Sequence, residues 1–92
     1  MPRLDAFRIA GIELWFNSAD HKPPHFHAEK TGVWEVRVYF LRDGTEMVEL
    51  VWGGQPRAGD LKKLRALAEE HRPELLLEWE QKVVVSDPGA ER

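Results

Sequence analysis

Cysteine is absent from this chain, which excludes disulfides and every thiolate metal site. Long apolar runs are absent too: no stretch approaches the roughly 18 consecutive apolar residues of a membrane-spanning helix. The start, Met1-Pro2-Arg3-Leu4-Asp5, carries no apolar segment of the signal-peptide kind. These absences point to a soluble, cytoplasmic protein with no membrane contact. A basic excess is also lacking, with 13 Lys and Arg against 16 Asp and Glu and a net charge of −3. A domain that grips nucleic acid by its phosphates usually has surplus positive charge, so nucleic acid is not indicated as a partner. Arg57, Lys62, Lys63, Arg65 and Arg72 concentrate charge in one region, which reads as the solvated face of a helix.

What the chain does have is enough apolar material, 42% of its residues including four tryptophans, to bury a core without covalent staples. The expected organisation is one domain over residues 1–82 and a flexible C-terminal tail over 83–92. Residues 12–16 alternate apolar and polar types and read as a first strand. Pro23 and Pro24 cannot donate to a sheet ladder, so the next strand begins at about His25 and runs to Glu29. Val33–Phe40 and Glu46–Trp52 supply two more strands. After Gly53-Gly54-Gln55-Pro56 the period changes, with Leu61, Leu64, Leu67 and Ala68 at helical spacing. Pro73 breaks that helix near His71 and is suited to open another turn carrying Leu75, Leu76 and Trp79. The fold class is α+β: a four-stranded antiparallel sheet with a C-terminal helix, broken near Pro73, packed on one face.

Three of the four histidines fall within Asp20-His21-Lys22-Pro23-Pro24-His25-Phe26-His27. Their direction depends on strand register, because a one-residue slip reverses every side chain. A three-residue loop ending in Gly32 pairs Ala28 with Trp34, His27 with Glu35 and His25 with Arg37. A similar loop ending in Gly44 pairs Arg37 with Glu49 and Val38 with Val48. One face then carries Phe26, Ala28, Trp34, Val36, Val38, Phe40, Val48, Leu50 and Trp52. The other carries His25, His27, Glu29, Glu35, Arg37, Tyr39 and Glu49, so the two histidines project side by side on a solvent-facing surface. Trp79 belongs to the core, Trp15 is a candidate for exposure, and His71 caps helix carbonyls or favours the negative end of the helix dipole.

Three chemistries fit this cluster. His21, His25 and His27 with Glu29 form a candidate metal-ligand set, for which a divalent transition metal such as zinc is the matching cofactor. His25, His27 and Arg37 form a candidate catalytic set for metal-independent ribonuclease chemistry, with imidazoles as acid and base and the guanidinium on the phosphate. The tryptophans and an unpaired edge strand suit a partner-binding surface, including a homodimer.

The run Ile9-Ala10-Gly11-Ile12-Glu13-Leu14-Trp15-Phe16, then Asp20-His21 and Pro23-Pro24-His25-Phe26-His27-Ala28, resembles a bacterial family of small proteins, the domain of unknown function 4160. The similarity extends through Glu69 to His71 and into Leu75, Leu76 and Trp79, covering roughly residues 7–80. The chain departs from the family pattern at Trp52-Gly53-Gly54-Gln55 and in its C-terminal tail. The resemblance implies a setting rather than an activity: members are often encoded beside a second small protein in an arrangement like a toxin–antitoxin module. It therefore implies a small protein encoded nearby as partner, with His21, His25, His27 and His71 as the positions to test.

Overall fold

Period-two patterning builds the sheet and period-three-to-four patterning covers it. The computed structural model describes residues 1–85. In chain order its elements are β1 (Glu13–Trp15), β2 (Ala19–Asp20), β3 (Phe26–Lys30), β4 (Trp34–Val38), a 3-10 turn (Gly44–Glu46), β5 (Val48–Gly53), α1 (Ala58–Glu70), α2 (Arg72–Lys82) and β6 (Val84–Val85). The main sheet is antiparallel in the order β1-β3-β4-β5, giving the expected α+β fold. One face carries the core: Phe26, Ala28, Trp34, Val36 and Val38 pack with Phe40, Leu64, Ala68, Leu75 and Trp79. Fully burying a side chain such as Phe26 or Leu75 contributes about 1.5–3 kcal/mol.

The loop between β3 and β4 has the expected length but sits one residue later, at Thr31–Val33, with Gly32 at φ 76°. Lys30 is therefore paired with Trp34, and His27 faces Arg37 instead of Glu35. A shift of two in the pairing sum leaves every side chain on its expected face, so the core survives the slip. Between β4 and β5 the expected pairs Arg37–Glu49 and Val38–Val48 are present.

Beyond them a bulge between Glu35 and Val36 inserts one extra β5 residue, so Leu50 faces Val36 but Trp52 faces Glu35. That insertion turns Trp52 off the expected core face: it is 41% exposed and its indole N–H donates to Glu35 Oε1 at 3.1 Å. Leu50, also expected in the core, is 43% exposed at the same bulge. Gly53 closes the strand at φ 93°, where a Cβ would collide with the Val33 carbonyl. Only glycine fits that approach.

Two features lie outside the expected plan. Residues 2–4 cover the outer edge of β1, with Phe16 N–H donating to the Pro2 carbonyl and Leu4 N–H to the Leu14 carbonyl. Past the boundary expected at residue 82, Val83 is buried and β6 runs parallel to β2, with Val84 N–H on the Ser18 carbonyl. Of the tail expected over 83–92, residues 86–92 lie outside the described residues. α2 is locked to the β4–β5 connection by Arg72, whose guanidinium donates to the carbonyls of Phe40 and Arg42 and to Asp43.

Candidate metal centre

β3 fixes the first two side chains. His25, immediately before β3, and His27, on it, lie two residues apart and share a face, as expected from strand geometry. The expectation of a solvent-facing surface is corrected: His25 is fully buried and His27 is 5% exposed. Aromatic rings provide the cover. Trp15 stacks on His27 at 5.4 Å, while Tyr39 and Trp79 stand 5.0 and 5.5 Å from the His25 ring. Trp15, a candidate for exposure, is thus the wall of the site, and Trp79 is a core residue that also touches a histidine.

β2 delivers the third side chain. Asp20 Oδ2 stands 3.0 Å from His25 Nε2 and 3.2 Å from His27 Nε2. Among the described residues, Asp20, His25 and His27 present ligand-type atoms all within 4.8 Å of one another. β2 is held from behind by β6, and the Asp20 carboxylate accepts the backbone N–H of His21 at 2.9 Å. Sequence reasoning missed this residue, although Asp20 opens the histidine motif. Its placement depends on a pairing between segments remote in sequence, Asp20 with Val85.

The hydrogen bonds decide which imidazole nitrogens carry protons. His25 Nδ1 is 2.8 Å from the Pro23 carbonyl. A carbonyl only accepts, so the proton is on Nδ1 and the neutral ring directs a lone pair from Nε2. That Nε2 is buried and has no hydrogen-bond partner, although Asp20 Oδ2 is 3.0 Å away. His27 lies between two carboxylates: its Nδ1 is 3.3 Å from Glu35 Oε2, and its Nε2 is hydrogen-bonded with Asp20 Oδ2 at 3.2 Å. Asn17 Oδ1 accepts the Trp15 indole N–H, which turns Nδ2 toward both His27 Nε2 and Asp20 Oδ2, at 3.0 and 3.4 Å.

Burial pushes the His25 pKa down, against the opposing effects of the Pro23 carbonyl and Asp20, so this ring favours its neutral form. Burial pushes Asp20 the other way, but the His21 N–H and its contact with His27 outweigh it and hold the carboxyl below its ordinary value. The site therefore sets an ionised carboxylate against the Nε2 atoms of two imidazoles.

The remaining expected residues stand apart from this group. His21 is on the loop beside it, with a side chain 53% exposed. Glu29 is further along β3, opposite Glu13 and Glu35. Arg37, opposite His27, donates from Nη1 to Glu49 Oε1 at 3.0 Å. His71 lies on the helix side of the sheet, against Phe7 and Glu74; its backbone N–H, rather than its ring, bonds the Leu67 carbonyl.

Comparison with known families adds one finding: residues 11–80 match the model of the family described as Domain of unknown function (DUF4160). The chain belongs to this family. The DUF4160 match contains the whole site, from Trp15 and Asn17 through Asp20, His25 and His27 to Glu35 and Trp79. No curated protein and no solved structure matches the chain. Among the described residues, no helix is long and apolar enough to cross a membrane.

Proposed function

We propose that this DUF4160 protein binds a divalent transition-metal ion through Asp20 Oδ2, His25 Nε2 and His27 Nε2. One observation carries the reading: the Nε2 atoms of two imidazoles converge on the same carboxylate oxygen, at 3.0 and 3.2 Å. His27 Nε2 is hydrogen-bonded with that carboxylate, but the buried His25 Nε2 has no hydrogen-bond partner, and a cation between the three atoms satisfies it. A proton joins only two of them, whereas a metal ion joins all three. The outer partners have the form that metal-bound histidines favour, with each Nδ1–H held by a carbonyl or carboxylate. Two nitrogens and one oxygen suit zinc, iron, nickel or cobalt.

The same geometry is less suited to ribonuclease chemistry by His25, His27 and Arg37. Asp20 places negative charge where a phosphate would sit, and Arg37 is engaged by Glu49. The setting in which the ion acts is a two-protein module of the toxin–antitoxin kind, with a small neighbouring-gene product as partner. The exposed apolar side chains of Leu50, Val51 and Trp52 on edge strand β5 would offer that partner a surface.

Elemental analysis and zinc titration of the purified protein test the metal reading. The expected result is one ion per chain, lost in both Asp20→Ala and His25→Ala/His27→Ala. Equal metal uptake by wild type and both variants would remove the reading.

A further inference from the structure

His21 has the same chemistry as the two buried histidines but not the same constraints. Its Nδ1 is 3.0 Å from the Lys22 carbonyl, so the neutral ring again directs a lone pair from Nε2. That Nε2 faces the other Asp20 oxygen, Oδ1, at 3.7 Å, and the ring centre is 5.3 Å from that of His25. It falls outside the group whose ligand atoms lie within 4.8 Å of one another. The decisive contrast is exposure: the side chains of His25 and His27 are 0% and 6% exposed, and that of His21 is 53%.

Building on the metal reading, we infer that His21 is an exchangeable fourth ligand, which closes the coordination sphere from the solvent side and yields its place to water or a small anion. Trp15, Tyr39 and Trp79 pack against the two buried rings. His21, the exposed histidine whose ring lies 5.3 Å from that of His25, is the ligand-type side chain on the open side. Asp20 is already coupled to His21 through its backbone N–H, so the ring needs only a side-chain rotation that gives up the Lys22 carbonyl. Structural zinc sites use four fixed protein ligands, and reactive ones keep a position open. Three fixed ligands plus one removable imidazole place this centre in the second class. The incoming group is water or a compact anion, because it takes the place of one imidazole beside a cation.

Cobalt(II) reports this directly, since its visible absorption is strong in four-coordinate sites and weak in higher coordination. Cobalt titrations, each followed by azide, are compared for wild type, His21→Ala, His21→Asn and Asp20→Ala. The expected result is a strong four-coordinate spectrum for wild type and a weaker, altered spectrum for both His21 variants. Their cobalt affinity should fall at least as far as when an outer-shell partner is lost, about 10–100-fold. Azide should alter the His21→Ala spectrum at lower concentration than it alters wild type. Identical spectra and azide responses in wild type and both His21 variants, with binding lost in Asp20→Ala, would overturn the role of His21 alone. No cobalt uptake by wild type would overturn the metal reading and this inference together.

Discussion

The Asn17 side-chain amide nitrogen stands 3.0 Å from His27 Nε2 and also donates to Asp20 Oδ2, tying the imidazole to the carboxylate it faces. The Trp15 indole orients Asn17, so a stacking residue on β1 acts through an amide on a histidine of β3. Glu35 receives the Nδ1–H on the far side of the ring. The His27 ring facing Asp20 is therefore held in place by three residues that would not themselves touch an ion.

Glu35 should act as an outer partner of the metal centre. Glu35→Ala is expected to weaken zinc binding by about 10–100-fold. Competition with a chelating dye measures the affinity, and a metal-free urea unfolding curve checks that the fold is retained. Unchanged affinity in a folded variant would show that His27 needs no carboxylate behind it.

Tyr39 offers an independent test of the electrostatics beside the site. Burial, then the hydrogen bond to Glu49, pushes its phenol above the ordinary tyrosine value, with Arg37 acting in the opposite direction. Its folded pKa is thus higher than its unfolded pKa. The stability it contributes is fully present below about pH 10 and is lost as pH rises through the folded value. The chain has one tyrosine, so tyrosinate absorbance reads Tyr39 alone. The alkaline midpoint should lie above 10 in wild type and move down toward about 10 in Glu49→Gln. Glu49 carries the opposite sign: Arg37 and Tyr39 hold its carboxyl low, so its contribution is lost as pH falls through that lowered value.

Arg72 should prove a structural clamp rather than a site residue. Its Nε donates to the Phe40 carbonyl at 2.6 Å, and Nη2 reaches the Arg42 carbonyl and Asp43. Arg72→Ala removes the donor to a carbonyl beside a fully buried ring, a loss of about 1–3 kcal/mol. Urea denaturation should show that loss with zinc affinity unchanged. Arg72→Lys should recover only part of it, because an ammonium cannot span the three acceptors as a planar fork does.

The sheet was readable because its apolar period is strict: Phe26, Ala28, Trp34, Val36 and Val38 alternate without a break, and even a misplaced loop kept them on the core face. Trp52 was misplaced because a bulge is a local backbone event that leaves no mark in alternation. His25 and His27 were legible as a same-face pair, but their burial was not. Burial came from Trp15, Tyr39 and Trp79, and from β6 pairing with β2, contacts between segments remote in sequence. Asp20 was hidden for the same reason, since nothing local says that a two-residue strand will aim its carboxylate at both imidazoles.

The most direct test is a zinc titration followed through the imidazole nitrogens of the isotopically labelled protein by long-range proton–nitrogen NMR. Before zinc, His25 should show a protonated Nδ1 and an unprotonated Nε2. On saturation the Nε2 signals of both rings should shift together while the Nδ1–H signals persist. Zinc that moves the Nδ1 signals, or leaves both Nε2 signals where they began, would contradict a metal centre built on Asp20, His25 and His27.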